Sequence, residues 1–345
     1  MRKIKPILTI SAAVILIAVF SLRSDTVIQS VMYSLRLCYD SVIPSLFPFF
    51  ILCEFLMSAT AGTGSNHCAA AFATGLITGF PTGVRNVCKL YSDGNIDKKS
   101  ACSLLHCTAN ASPAYIVAFI GVCIIGSKTA GIVLLASQVL CAFACAVFFG
   151  CFKKKISSKS KIGVINITEI ACQSISNSVM SCLYVCGYII FFGIIADIAI
   201  EAGLPSLAAK ILFFLPESQA GALSVGFIEI TRGIYMLNFT DSSAIIIAAV
   251  IVAFSGISVI MQCIACVIKA GLPKRPLIIG KIIYTVLMPI IAACLSEIIS
   301  VEVDAPRAQM PVISFILFII FLITCIIFIY NIFDKSKHTM YNRIK

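Results

Sequence analysis

The residues able to do chemistry in this chain fall where glycine, hydroxyls and charge interrupt apolar sequence. One such stretch is Gly79-Phe80-Pro81-Thr82-Gly83-Val84-Arg85, followed by Asn86, and the other is Gly226-Phe227-Ile228-Glu229-Ile230-Thr231-Arg232-Gly233. About thirty residues after each comes a second helix-breaking polar cluster, Asn110-Ala111-Ser112-Pro113 in one case and Ser255-Gly256-Ile257-Ser258, with Gln262 beyond it, in the other. Backbone groups freed by a broken helix cannot stay unpaired in lipid, so such breaks are buried in protein or line a wet cavity. Half-helix N-termini present free N–H groups and a positive dipole end suited to a carboxylate, while C-terminal carbonyls suit a cation. Two halves, each with two broken apolar segments, are the pattern of a secondary transporter whose substrate sits at the breaks.

Each residue then has an expected part. Gly79, Pro81 and Gly83 permit a tight reversal, Thr82 offers a hydroxyl, and Asn86 adds an amide. Arg85 either clamps an anionic oxygen pair or marks the cytoplasmic mouth of the hairpin. Asn110 and Ser112 supply mixed donors and acceptors as lining groups, with self-capping of the break as the plainer role. An acid at membrane depth is costly unless paired or functional, so Glu229, beside Thr231, is expected to bind a coupling cation or proton, or to pair with Arg232 or Arg85. Ser255, Ser258 and Gln262 complete the expected site. Glu54 is placed near the cytoplasmic end of its span, and Lys281 is expected to snorkel.

These residues need a membrane around them. At 345 residues, 60% hydrophobic and 12% charged, the chain is too apolar for a soluble domain. Its net charge of +11 is spread over short segments between apolar runs, which reads as membrane topology rather than nucleic-acid binding. The 17 cysteines lie mostly in apolar stretches, where Cys packs as a small hydrophobe. Cys263-Ile264-Ala265-Cys266 has redox spacing but no companion, and His67, His106 and His338 are scattered, so no metal or cofactor is expected. Nor is there a Walker-type phosphate loop, which leaves an ion gradient, a substrate gradient or a partner as the energy source.

Lys and Arg of short loops are retained on the cytoplasmic side. Most of the 26 basic residues fall in five segments: 2–5, 85–99, 153–161, 269–281 and 335–345. They share one side if each pair is separated by an even number of crossings. Crossings over 4–22, 41–57, 101–125, 129–151, 179–198, 243–267, 276–299 and 311–330 satisfy this, with both termini cytoplasmic. The stretch 66–91 is too short to cross twice and becomes a re-entrant hairpin on the cytoplasmic side, and 205–238, broken around Gly226 to Gly233, re-enters from outside. Amphipathic segments, Thr26 to Asp40 and Ile165 to Asn177, precede each half and are expected to lie along opposite surfaces.

The expected fold is therefore an all-α polytopic membrane protein of about eight transmembrane helices plus two re-entrant hairpins in inverted-topology repeats. Its divisions are an N-terminal uncleaved transmembrane helix (1–25), a first repeat (26–152), a basic cytoplasmic loop (153–164), an inverted second repeat (165–300), and a C-terminal span with a basic tail (301–345).

The paired motifs, in this order, resemble the sporulation integral membrane protein YlbJ family, and the likeness covers nearly the whole chain. The chain also resembles the broader nucleoside-recognition "gate" domain group, whose concentrative nucleoside transporters have inverted repeats, re-entrant hairpins and interfacial helices. The resemblance implies a spore-former protein of the outer forespore membrane, within the bacterial cytoplasmic membrane system, that carries dipicolinic acid towards the forespore. Sporulation partner proteins or an oligomer are compatible with it. Phe80, Arg85 and Arg232 depart from the family pattern, in which tyrosine, lysine and a small or amide residue are usual. The added charge at Arg232 bears on which anion is carried. The runner-up is a nucleoside or other small-metabolite carrier coupled to Na⁺ or H⁺, and a non-transporting sporulation scaffold is the reading from another class. An intramembrane enzyme lacks a His-rich or paired-acid constellation to support it.

Overall fold

A computed structural model describes residues 4–60, 67–152, 167–213, 215–239 and 244–299. The expected crossing at 311–330, the basic tail and the triple-lysine loop lie outside the described residues. Within them the chain is wholly helical, with fourteen α-helices and two π-helical stretches. Four helices are long and apolar enough to span a bilayer: 128–148, 167–201, 244–269 (interrupted at Ser255) and 275–298; a fifth span arises if 10–22 and 24–42, joined at 92°, count as one.

Helix α1 (Ile4–Leu22) meets α2 (Ser24–Leu37) at that bend. Asp25 in the first turn of α2 and Arg36 in its last turn oppose the helix dipole. A π-helical turn, Cys38–Val42, carries α2 into α3 (Ile43–Thr60) without a loop. Next come α4 (His67–Thr78), α5 (Thr82–Ser92) and α6 (Lys98–Leu105), the last N-capped by Asp97. An irregular stretch leads to the π-helix Ala114–Ile125 and then α7 (Lys128–Phe148).

The second half opens with α8 (Ile167–Glu201), a single helix of 35 residues and so about 52 Å long at 1.5 Å per residue. The expectation of a separate surface helix over 165–177 is corrected here. No Gly or Pro interrupts the stretch before Gly187, so the segment propagates directly into the crossing. Its length exceeds a hydrocarbon core of about 30 Å, which leaves its polar N-terminal turns outside. Then follow α9 (Leu204–Ile211), α10 (Glu217–Gly226), α11 (Ile230–Tyr235), α12 (Ala244–Phe254), α13 (Gly256–Lys269) and α14 (Arg275–Ile298).

Two helical hairpins, α4–α5 and α10–α11, organise the interior. Each closes where two glycines meet: a Cβ on Gly83 would strike Gly75 and the Thr108 carbonyl, and one on Gly233 would strike Gly226 and the Ala222 carbonyl. Only a residue without a Cβ allows helices this close. Around them α8 packs along α2 and α3, α7 against the π-helix 114–125, and α14 against α12 and α7. The most apolar helix, α12, has no polar face and is largely enclosed. Large apolar side chains of α1, α8 and α14, among them Ile17, Leu183, Ile282 and Val286, face outward as a lipid-facing surface requires. Among the described residues most of the cysteines are buried.

Candidate functional site

Each hairpin tip docks on a break in a neighbouring helix. In the first half α6 stops at Leu105, and His106 to Ser112 run without regular structure. The Phe80 N–H at the tip of α4–α5 donates to the Asn110 carbonyl at 2.6 Å. In the second half α12 stops at Phe254, Ser255 takes a left-handed conformation (φ 69°), and α13 starts at once. There the Ile257 and Ser258 N–H groups donate to the Phe227 and Ile228 carbonyls of the α10–α11 tip, at 2.8 and 3.2 Å. The N-terminal donors of α13 are thus partly consumed by the opposite tip.

The first break is further satisfied by Gln138 of α7. Its Oε1 accepts from the Ala111 N–H at 2.8 Å and its Nε2 donates to the Ala111 carbonyl at 2.9 Å, closing both backbone groups of one residue. Asn110 caps locally, its Nδ2 donating to the Cys107 carbonyl at 2.8 Å, while its Oδ1 has no partner. The expected lining role of Asn110 gives way in this conformation to capping.

Between tips and breaks lies a small cavity of about 30 Å³, with room for water but not for a metabolite. Phe80 and Ser112 with Tyr115 contribute from the first half, and Glu229 to Thr231 with Ser258 and Gln262 from the second; Val42, Leu46, Val185 and Ile189 close it with apolar surface. Of the expected site residues, the cavity gathers Ser112, Glu229, Thr231, Ser258 and Gln262. Glu229, only 1% exposed, caps α11 by accepting from the Arg232 N–H at 2.8 Å. The Thr231 hydroxyl lies 3.1 Å from the Tyr115 hydroxyl, joining the second hairpin to the π-helix.

Ser258 Oγ and Gln262 Oε1 are buried without partners, one helical turn apart on α13. Thr82 Oγ1 and Asn86 Nδ2 are buried without partners, one turn apart on α5, against which α13 packs. Four unsatisfied polar atoms on two packed helices are an unusual concentration and fit a site that hydrogen-bonds a ligand or water. Gly79, Pro81 and Gly83 serve the first hairpin's turn and crossing rather than the cavity, and Ser255 lies at the second break.

Both arginines are engaged elsewhere. Arg232 Nε and Nη2 make a bidentate pair with Asp197 of α8, at 2.9 and 3.0 Å, and Nη2 also donates to Ser30 and Ser34 of α2. Its guanidinium stacks 4.1 Å from the Tyr33 ring. The expected Glu229–Arg232 pairing is therefore corrected: Glu229 meets the Arg232 backbone, and the side chain turns to Asp197. Arg85 donates to Ser181 Oγ and to the Asn177 carbonyl of α8, and its Nε is 4.0 Å from Glu54, which also lies 3.7 Å from Lys89. Arg85 is a third exposed and Lys89 more so.

Lys281 corrects another expectation. It does not snorkel but is 5% exposed, and its ammonium donates to the Ala253 carbonyl at 3.1 Å and to Ser255 Oγ at 2.7 Å. Sitting within α14, it is held inward because that helix threads between the two breaks. On one side Gly280 abuts the His106 backbone so closely that no Cβ would fit, and the Tyr284 hydroxyl donates to the Cys107 carbonyl at 3.3 Å. On the other side Lys281 caps the C-terminal end of α12. Among the described residues no three His, Cys, Asp or Glu side chains converge as a metal site would need.

No family model matches the chain, and no solved structure matches it. The sporulation integral membrane protein YlbJ of Bacillus subtilis (strain 168) is 24% identical over 299 residues, covering 72% of this chain and 72% of that protein. The chain is a distant homologue of YlbJ. Its helices are those of a multi-pass integral membrane protein, and a relationship to YlbJ places it beside a sporulation membrane protein.

Sequence reasoning missed Lys281, Asp197, Gln138 and Tyr115 as elements of this centre. The first three are polar or ionisable residues inside apolar runs, a signal of interior partners that was there to be used. Tyr115 carried no such signal, since an aromatic residue in a span is ordinary.

Proposed function

We propose that the chain is a membrane carrier for a small anionic metabolite, with dipicolinate, moved across the outer forespore membrane, as the substrate its likeness to the YlbJ family favours. In this reading the α4–α5 and α10–α11 hairpins are re-entrant, the halves 26–152 and 165–300 are inverted repeats, and about eight crossings leave both termini cytoplasmic. The observation that carries it is the pairing of each hairpin tip with a broken helix by backbone hydrogen bonds, twice, around one cavity. Helix breaks buried at the centre of an apolar bundle cost backbone hydrogen bonds and are kept where they bind a ligand. At about 30 Å³ the cavity is too small for a ligand of a dozen heavy atoms, which in this reading enters when a tip separates from its break.

A second reading rests on the cavity's charge. Among the described residues Glu229 is its one carboxylate and no arginine lines it, an arrangement that also suits a polar neutral ligand such as a nucleoside with Na⁺ or H⁺ as coupling ion. The deciding experiment is uptake of labelled dipicolinate and labelled uridine into liposomes carrying the full chain, with and without Na⁺ and pH gradients. Dipicolinate uptake lost in Glu229→Ala supports the carrier; uridine uptake alone moves the substrate to nucleosides. Uptake of neither, with normal insertion, supports a sporulation scaffold.

A further inference from the structure

Lys281 is the one buried cation among the described residues with no carboxylate partner. The other buried or half-buried cations are matched: Arg232 with Asp197, and Arg85 and Lys89 with Glu54. An ammonium has three donors, and Lys281 spends two, on the Ala253 carbonyl and Ser255 Oγ. The third has no acceptor among the described residues. The ionisable groups around it are Cys263 of α13, Cys141 of α7, Tyr284 on its own helix and His106 after α6, none of them a carboxylate. A buried charge whose only compensation is a helix C-terminus and one hydroxyl is costly to maintain.

The ammonium also adjoins the cavity. Phe80 lines it, and the Phe80 ring stands 5.8 Å from Nζ. Ser255, which accepts from Nζ, is one turn before Ser258, whose unpartnered Oγ lies on the cavity wall. Separation of the first hairpin tip from its break would withdraw Phe80 and open the ammonium to the cavity, beside Ser258 and Gln262.

We infer that Lys281 is the cationic anchor of the substrate site, its free N–H receiving a carboxylate oxygen of the transported anion at the junction of the two breaks. The inference rests on the carrier reading and changes which residue holds the charge: neither Arg85 nor Arg232, each committed to a carboxylate, supplies it. Binding then gains twice, from a charge-assisted hydrogen bond and from neutralisation of a buried cation.

The test is equilibrium binding of labelled dipicolinate to the purified full chain, with neutral pyridine-2,6-dicarboxamide and uridine as competitors. Wild type is expected to bind dipicolinate, Lys281→Arg to retain most of the affinity, and Lys281→Gln, whose amide can still donate to Ala253, to bind about 10–100-fold more weakly. Lys281→Gln binding like wild type overturns the anchor and leaves the carrier reading standing. If Lys281→Gln does not fold, wild type alone decides: the dicarboxamide must compete at least tenfold less well than dipicolinate, and equal competition overturns the anchor. Binding of uridine with no binding of dipicolinate, or of neither ligand, removes the anionic substrate and the anchor with it.

Discussion

The Arg232–Asp197 pair separates a structural from a ligand-binding role for the second hairpin's arginine. Arg232 is nearly enclosed, whereas the Asp197 side chain is a quarter exposed, so removing either partner has unequal consequences. Asp197→Leu strands a guanidinium held only by Ser30, Ser34 and the Tyr33 ring, a loss of about 3 kcal/mol from the range for breaking a buried pair. Arg232→Met leaves a carboxylate that can draw on water, and the loss is smaller, about 1–2 kcal/mol. The double variant removes both charges and recovers about 3 kcal/mol relative to the sum of the singles, which leaves it near Arg232→Met. For a chain of this size 3 kcal/mol corresponds to a midpoint change of about 4 °C, read by size-exclusion of detergent-solubilised protein after heating. The order of stability should be wild type, double variant and Arg232→Met close together, then Asp197→Leu. Additive single-variant effects would refute the pairing. Loss of ligand binding in Arg232→Met without any fall in midpoint would restore the direct substrate role that its position in the motif suggested.

Two further outcomes follow from the same geometry. Gln138→Leu leaves the Ala111 N–H and carbonyl buried and unpaired, which costs about 2–4 kcal/mol and should lower the midpoint by several degrees, while Gln138→Glu, able to accept but not to donate, should fall between; an unchanged midpoint in Gln138→Leu would show that Ala111 has other partners. Cysteines introduced near Lys155 and at Glu217, in a background lacking accessible native thiols, should label from opposite sides of the membrane, and labelling from the same side would end the inverted-repeat proposal.

The breaks were legible in the sequence because glycine, proline and clustered hydroxyls have few other uses inside apolar runs, and the structure has breaks at 106–112 and at Ser255 and turns at 79–81 and 227–229. What docks on the breaks was not legible. The partners of Ala111, Cys107 and Ala253 are Gln138, Tyr284 and Lys281, supplied 27, 177 and 28 residues away in sequence, and periodicity carries no information on such contacts. The destination of the arginines was hidden for a related reason. A motif places Arg232 three residues from Glu229, but Glu229 is the N-cap of α11 and its carboxylate is taken by the Arg232 N–H, so the nearest acid in sequence becomes a cap while the acid that binds the guanidinium lies 35 residues back, on α8.

That helix gives the two hairpins a common support. Arg85 reaches α8 at Asn177 and Ser181, and Arg232 reaches it at Asp197, sites separated by roughly 24–30 Å at 1.5 Å per residue. Each hairpin is thus latched to one helix near a different end, and each tip is also bonded to a break. A hairpin that moved to open the cavity would have to give up its tip bonds, weak neutral hydrogen bonds, or its latch, which is the partly exposed Arg85 cluster in the first half and a bidentate ion pair in the second. The first hairpin has the weaker hold on α8, and its Phe80 covers both the cavity and Lys281. On the carrier reading proposed above, the lower-energy opening is therefore a movement of α4–α5 away from Asn110 with α10–α11 left in place, which would expose the polar atoms of α13 and the lysine together.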